Sequence, residues 1–318
     1  KRRTVSDAGV IVDPDDMHES LFGFQRDLVA WAAKKGRAAI WADTGLGKTR
    51  MQLEWARLTG QRSLILAPLA VAQQTIREAA ELGIDLSYAL EPGDVGPGLT
   101  ITNYERADRF DPSGFGAVVL DESSILKNYT GSTRTALIEQ WKDTPYRLCC
   151  TATPAPNDIT ELANHSEFLG VMPRNEMLAS FFVHDDDGWR VKGHAWHALF
   201  TWMTGWARAV RRPGDVGHPE EDGLYDLPPI GYRQHVVPTV GAPEGQLFAV
   251  DLGGVGGRSA VRKQTLDARC DVTADLVNAD DEPWIIWCGL NDEANTLTRL
   301  IPGSVNVQGS DSPEDKTD

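Results

Sequence analysis

Long apolar runs are missing from this sequence. No stretch approaches the roughly eighteen residues that span a bilayer, and the opening Lys1-Arg2-Arg3 leads into acidic sequence instead of the apolar core of a secretion signal. A cytoplasmic protein with no membrane partner is expected. Cysteine is scarce: Cys149 and Cys150 are adjacent, Cys270 and Cys288 are isolated, and neither a CxxC pair nor a disulfide framework can be drawn from them. Reduced thiols and no zinc are the expectation. Positive charge is in deficit, with 31 Lys and Arg against 46 Asp and Glu and a formal net charge of −15. That balance excludes a protein that coats polyanions through general basicity, because nonspecific nucleic-acid binding rests on cationic contacts. Any nucleic-acid site must be a local basic patch. What is present is ordinary for soluble globular chains: 41% apolar and 24% charged residues argue against wholesale disorder and fibrous repeats. A length of 318 residues allows about two domains, each with ample core.

Short β-rich runs alternate with helical stretches through the first half, the pattern of an α/β fold on parallel strands. Residues 37–41, 63–67, 99–102, 117–120 and 147–151 are the predicted strands, each short and bounded by turn residues or helical sequence, as buried central strands are. After Pro154 and up to about Gly217 the strand signal vanishes. Apolar and aromatic residues recur there at helical spacing, Trp196, Phe200, Trp202, Met203 and Trp206 among them, and predict a helical subdomain. Pro228-Pro229 reads as a boundary. Beyond it a second α/β unit begins, with a strand near 234–237, a long helix near 259–278 and a strand at 284–288. The predicted organisation is a first α/β domain over 1–160, a helical subdomain over 161–229 and a partial second α/β domain over 230–318. Gly253-Gly254-Val255-Gly256-Gly257 does not complete GxGxxG, because Ser259 stands where the last glycine belongs, and it reads as a flexible loop.

The central chemical signal is Ala42-Asp43-Thr44-Gly45-Leu46-Gly47-Lys48-Thr49, which follows a predicted strand and precedes an amphipathic run. It matches a relaxed P-loop, with Ala42 where the strict pattern has glycine. Gly45 and Gly47 let the backbone bend so that its N–H groups and the helix N-terminus face phosphates. Thr44, Gly45, Leu46 and Gly47 thus form the nucleotide cradle, Lys48 reaches the β and γ phosphates, and the Thr49 hydroxyl ligates Mg²⁺. The bland alternative is a glycine-rich turn that merely caps a helix. A P-loop also needs a second strand ending in an acid, and Val118-Val119-Leu120-Asp121-Glu122 supplies it seventy-two residues after Thr49. Asp121 is assigned to Mg²⁺ through its water shell, and Glu122 to polarising the attacking water. Lys48, Asp121 and Glu122 form the expected catalytic set, with ATP and Mg²⁺ as cofactors.

With these motifs in place, the chain resembles superfamily-two helicases, most closely their Swi/Snf-like branch and related phage-type enzymes. Asp121-Glu122-Ser123-Ser124 occupies the place of the DEAD-like box. Phe24-Gln25-Arg26, with Gln25 seventeen residues before Ala42, resembles the motif that reads the adenine edge. Leu66-Ala67-Pro68 and Ile101-Thr102-Asn103-Tyr104-Glu105 resemble segments that touch nucleic-acid backbone, so Pro68, Asn103 and Tyr104 are implied contacts. Thr151-Ala152-Thr153-Pro154, thirty residues after Asp121, resembles the motif coupling hydrolysis to movement of the second domain, through Thr151 and Thr153. The resemblance implies a P-loop fold of tandem RecA-like parallel-sheet domains, the second incomplete, in a bacterial or phage-infected cell. It also implies an ATP-dependent DNA helicase or translocase acting on duplex or single-stranded DNA. Residues 284–288 and 305–309 look like the first strands of the second RecA-like domain, and the family's later arginines have no counterpart before Asp318. Starting at Lys1, the chain is expected to be part of something longer that binds ATP and hydrolyses it poorly alone. The alternative function is a nucleotide-binding, nucleic-acid regulatory module with little turnover.

Residues 189–212 contain Arg190, Lys192, Arg208, Arg211 and Arg212 and no acid. That contrast predicts a nucleic-acid surface carried by Arg208, Arg211 and Arg212. The alternative is a buried aromatic helix whose arginines snorkel or pair with acidic surface. His194 and His197 lack companions for a metal set and read as helix surface. Asp185-Asp186-Asp187-Gly188 reads as a solvated turn, and Cys149 and Cys150 as inert core.

Overall fold

The computed structural model describes residues 7–127, 132–186, 188–237 and 261–311. The chain divides into two compact units, Lys1–Leu227 and Pro228–Asp318. Among the described residues, the first is built on nine strands: β1 Arg37–Ala42, β2 Ser63–Ala67, β3 Leu86–Tyr88, β4 Leu99–Asn103, β5 Ala117–Asp121, β6 Tyr146–Cys150, β7 Phe182–Asp185, β8 Gly188–Val191 and β9 Ala207–Val210. Around them run α1 Gly23–Lys35, α2 Lys48–Leu58, α3 Ala72–Glu81, α4 Ser132–Trp141, α5 Leu162–Phe168, α6 Arg174–Phe181 and α7 Trp196–Met203. Seven strands form one sheet in the order β3-β4-β2-β5-β6-β1-β9, and every pairing in it is parallel.

The strands are short and apolar because both faces are covered. Period-two alternation sorts them into two cores. Ala38, Ile40 and Ala42 of β1, with Ile65 and Ala67 of β2, pack with Phe24, Leu28, Met51 and Trp55. Ala39, Trp41, Leu64, Leu66, Val118 and Leu120 face the opposite way, onto Trp141, Phe168, Leu199 and Trp206. Cys149 and Cys150 are buried in β6 and burial pushes both thiols up, which makes them inert. The five predicted central strands are all present to within a residue or so at their ends.

The segment after Pro154 departs from the expected purely helical subdomain. It contains the antiparallel hairpin β7–β8, and β9 joins the main sheet at its edge against β1, Ala39 pairing with Ala207 and Ala42 with Val210. The backbone N–H of Asp43 donates to the Val210 carbonyl at 2.9 Å, so the chain past residue 161 is built into the first unit. The reason is tertiary. Ala207-Arg208-Ala209-Val210 has a single β-branched residue, and its strand conformation comes from the open edge of β1 rather than from propensity.

In the second unit, α8 Leu266–Asn278 packs on α9 Asn291–Leu300 through Cys270, Ala274, Leu297 and Ile301. The predicted strands at 234–237, 284–288 and 305–309 are not formed as strands. Ile285, Trp287 and Val305 are exposed, because no neighbouring strand among the described residues completes a ladder. The second unit thus has a packed helix pair and no formed sheet among the described residues. Gly253–257, and Ser259 and Ala260 of the predicted helix, lie outside the described residues, as does Asp187.

A clasp closes the first unit onto α1. The Glu221 carboxylate accepts from the backbone N–H groups of Gly23 at 2.9 Å and Phe24 at 3.2 Å, and so caps α1 from across the fold. His218 Nε2 meets Asp27 Oδ2 at 2.9 Å, and Tyr225 packs edge-on against Phe22 and Phe24. Glu221→Ala should lower stability by about 1 kcal/mol, the usual worth of a helix cap, read as a fall in melting temperature. The hydrogen bond to Asp27 holds His218 above its ordinary value of 6.5, helped by the nearby Glu221 and Glu220 carboxylates. The His218 contribution is therefore complete below about pH 6.5 and is lost as pH rises through the higher folded value. Thermal melts of His218→Ala and wild type should differ at pH 6 and converge above pH 8.

Candidate functional site

Three neighbouring strands, β1, β6 and β5, deliver the site at their carboxyl ends. Register puts Ile40 beside Cys150 and Cys150 beside Asp121, so the segments following these residues emerge side by side. After β1 the chain turns through Gly45 and Gly47, at φ 82° and 76°, the left-handed region that glycine tolerates without strain. Gly47 is also the N-cap of α2, which begins at Lys48. Asp43, Thr44 and Gly45 are exposed, Lys48 and Thr49 half-exposed, and Leu46 buried. Lys48 Nζ donates to the carbonyls of Ala42 at 3.0 Å and Asp43 at 3.2 Å, arching over the loop it would serve.

Gln25 is 3% exposed, and both ends of its amide are engaged: Nε2 donates to the Leu46 carbonyl at 3.0 Å and Oε1 accepts from the Phe22 N–H at 3.0 Å. A Cβ on Gly47 would come within 2.3 Å of Gln25 Nε2. The side chain implied as an adenine reader thus braces the P-loop, and glycine at 47 is required by close approach as well as by φ.

At the end of β5, Asp121 is buried, and desolvation pushes its carboxyl up to about 6. The neighbouring Glu122 carboxylate adds to the rise, while Gln52 and Lys48 oppose it. Glu122 sits at φ 50°, the one non-glycine in the left-handed region among the described residues, at a cost on the order of 1 kcal/mol. Its carboxylate is fixed there: Thr151 Oγ1 donates to Glu122 Oε2 at 3.1 Å, and the Thr153 N–H donates to Thr151 Oγ1 at 3.1 Å. The predicted coupling residues and the predicted water activator are one hydrogen-bonded chain.

Two participants carry no sequence signal of their own. Gln52 lies on α2 one turn past Lys48 and beside Asp121. His165 on α5 bonds through Nε2 to Ser123 Oγ at 3.1 Å, behind Glu122, and packs edge-on against Trp41 at 5.7 Å. Burial pushes His165 down to about 4, so it is neutral at physiological pH. Their spacing from the motifs is set by helix packing, which no local pattern announces.

The implied nucleic-acid residues are less exposed than expected. Pro68 is half-exposed at the end of β2, but Asn103 and Tyr104 are buried. The Tyr104 hydroxyl donates to the Asp121 backbone carbonyl at 2.6 Å, tying β4 to β5. The basic stretch is largely committed as well. Arg208 lies over the Trp31 ring at 4.3 Å and donates to the carbonyls of Thr204 and Ala207. Arg212 pairs with Asp215 at 3.8 Å and Asp222 at 3.7 Å, and Arg190 with Asp185 at 2.6 Å. Acids just outside the acid-free window neutralise it, because folding returns flanking turns to the same surface. Arg211 is exposed.

No protein-family model and no curated protein sequence matches the chain. Among solved structures, the SWI2/SNF2 ATPase core of Sulfolobus solfataricus in complex with dsDNA is similar over 64% of this chain and 46% of that one, with TM-score 0.54 and 19% identity. The UvsW helicase of bacteriophage T4 is similar over 54% of this chain and 68% of that one, at TM-score 0.42 and 14% identity. The helicase domain of Pyrococcus furiosus Hef is similar over 46% and 35%, at TM-score 0.38 and 19% identity. Of these three, the Sulfolobus core alone has a TM-score above 0.5, and the likeness to it is one of fold. The first unit shares the fold of that ATPase core, and the match spans under half of that core's length. No helix among the described residues is long and apolar enough to cross a membrane.

Because Asp121 binds its proton more tightly folded than unfolded, the ionised carboxylate weakens the fold as pH rises from its ordinary 3.8 through about 6. Asp121→Asn should therefore raise the melting temperature of the ligand-free chain at pH 7.5, by up to about 3 kcal/mol in stability. The gain should shrink toward pH 4, and melts across that range check it.

Proposed function

We propose that this protein is a Mg²⁺-dependent ATPase of the helicase or translocase type, acting on DNA. The observation that carries this is the convergence of a P-loop, the buried Asp121 with the half-buried Glu122, and Thr151 at the ends of three adjacent parallel strands. In open α/β sheets that is where ligands bind. The residues fit the cofactors: a glycine loop opening onto the N-terminus of α2 suits polyphosphate, and the space above Gly45 is free of other atoms within 4 Å. A carboxylate that is ionised at pH 7 and close enough to Lys48 to feel its charge suits Mg²⁺.

ATP with Mg²⁺ supplies a phosphoryl group whose transfer to water is strongly favourable. The backbone N–H groups of 44–48 and the Lys48 ammonium bind phosphate oxygens, for which Lys48 must leave the carbonyls of Ala42 and Asp43. The Thr49 hydroxyl and Asp121 hold the metal. Glu122 takes the proton of the attacking water, and Thr151 holds that carboxylate in place. Gln25 keeps the loop open rather than contacting base alone. Movement of the Thr151–Thr153 chain on turnover gives the coupling to the second unit, which we read as the start of a second RecA-like half. DNA as the track is favoured by the duplex bound to the similar Sulfolobus core.

Lys48→Ala should weaken nucleotide binding. Glu122→Gln should bind nucleotide normally and lose DNA-stimulated turnover by about a hundredfold or more, the scale for a general base. Fluorescent-nucleotide titration and phosphate release with duplex DNA, single-stranded DNA and RNA measure both. Normal turnover by Glu122→Gln removes Glu122 from its role, and stimulation by RNA alone replaces DNA as the track.

A further inference from the structure

Helix α7 buries Leu199 and Met203 on one side, yet its other side is also apolar. Trp196 is 44% and Phe200 49% exposed. One helical turn apart, their rings stack at 5.7 Å with an interplanar angle of 20°. On the hairpin just before it, Trp189 is 41% exposed and meets His184 edge-on at 4.9 Å. Among the described residues between Val12 and Arg212 the other exposed large apolar side chains are Phe22 and Leu90, and Phe22 already packs on Tyr225. The exposed aromatic surface of the first unit's described residues is therefore concentrated in one stretch.

That stretch is the acid-free one. In sequence, Arg190 and Lys192 lie between Trp189 and Trp196; Arg190 pairs with Asp185 at 2.6 Å, whereas Lys192 Nζ donates to the carbonyls of Ala179 and Ser180, at 2.8 and 3.3 Å, with no carboxylate partner among the described residues. Strand β8 packs against the turn Ile159–Glu161, which follows the Thr151–Thr153 chain within the same loop. The aromatic hairpin is thus anchored to the backbone that leads from the site.

We propose that Trp189, Trp196 and Phe200 form a stacking surface for the unpaired bases of a single nucleic-acid strand. Exposed ring faces beside Lys192, a cation with no carboxylate partner among the described residues, match bases and phosphates. Every base presents a π-face, so such a surface engages a strand without reading its sequence. A duplex hides those faces, and the surface therefore distinguishes an opened strand from a closed one. This inference rests on the nucleic-acid-motor proposal and adds that the motor holds a separated strand.

The test compares the full chain with Trp189→Ala, Trp196→Ala and Phe200→Ala, singly and together, by fluorescence anisotropy with a labelled oligo-dT strand and a blunt duplex. Stacking is worth about 1–3 kcal/mol per base, so each replacement should weaken oligo-dT binding about tenfold. Duplex affinity, nucleotide affinity and melting temperature should hold, and Trp189→Phe should retain binding. Unchanged oligo-dT affinity in the triple variant, or equal loss on strand and duplex, overturns the inference while leaving the motor proposal standing. A wild type that binds ATP but neither strand nor duplex overturns both. Sedimentation shows the remaining outcome: if the wild type is a dimer and the triple variant a monomer, the surface joins copies of this chain and the inference is wrong.

Discussion

Everything at the candidate site depends on the parallel register of β1, β6 and β5. A parallel sheet puts all carboxyl ends on one edge, and placing β6 between the other two sets the loops that follow them side by side. The loop after β6 is then the only one able to touch the end of β5 while lying next to the P-loop strand. Thr151 uses that position to hold Glu122, and the hydrogen bond links the group proposed to activate water with the segment proposed to transmit its consequence. A one-residue slip in β6 would turn every side chain to the opposite face and break this link before disturbing the core.

The site is also a place of stored cost. A buried carboxylate, a glutamate in left-handed backbone and a lysine bonded to two carbonyls of its own loop are each unfavourable or unfinished in the ligand-free chain. The first and the last would be relieved by a divalent cation and a polyanion, which supply opposite charge where the protein has placed its own. Strain and desolvation of this kind persist only where surrounding packing over-determines them. Here the surroundings are two fully buried cores, with Trp41 and His165 filling the space behind the Asp-Glu pair.

The basic stretch shows how folding redistributes what a linear count suggests. Along the chain, residues 189–212 carry five cations and no acid. In the fold, Asp185, Asp215 and Asp222 return to that surface and pair with Arg190 and Arg212, and Trp31 receives Arg208. The cations are largely spent on structure, and the exposed chemistry that remains is aromatic.

The sequence by itself determined the central strands, the P-loop, the acidic pair and the Thr-Ala-Thr-Pro segment. Each is written in contiguous residues whose period, glycines and charge act locally. It also located the break near Pro228. Only tertiary structure decided that Gln25 braces Leu46 instead of standing free, that Tyr104 is buried against the Asp121 carbonyl, and that Gln52 and His165 stand behind the carboxylates. Those facts depend on which helix covers which strand, a relation between residues far apart in sequence. The same holds for β9, four residues of weak strand propensity made into an edge by the unfilled hydrogen bonds of β1, and for 284–288, a strong strand pattern left unpaired. A strand is a pairing, and pairing is not a property of one segment.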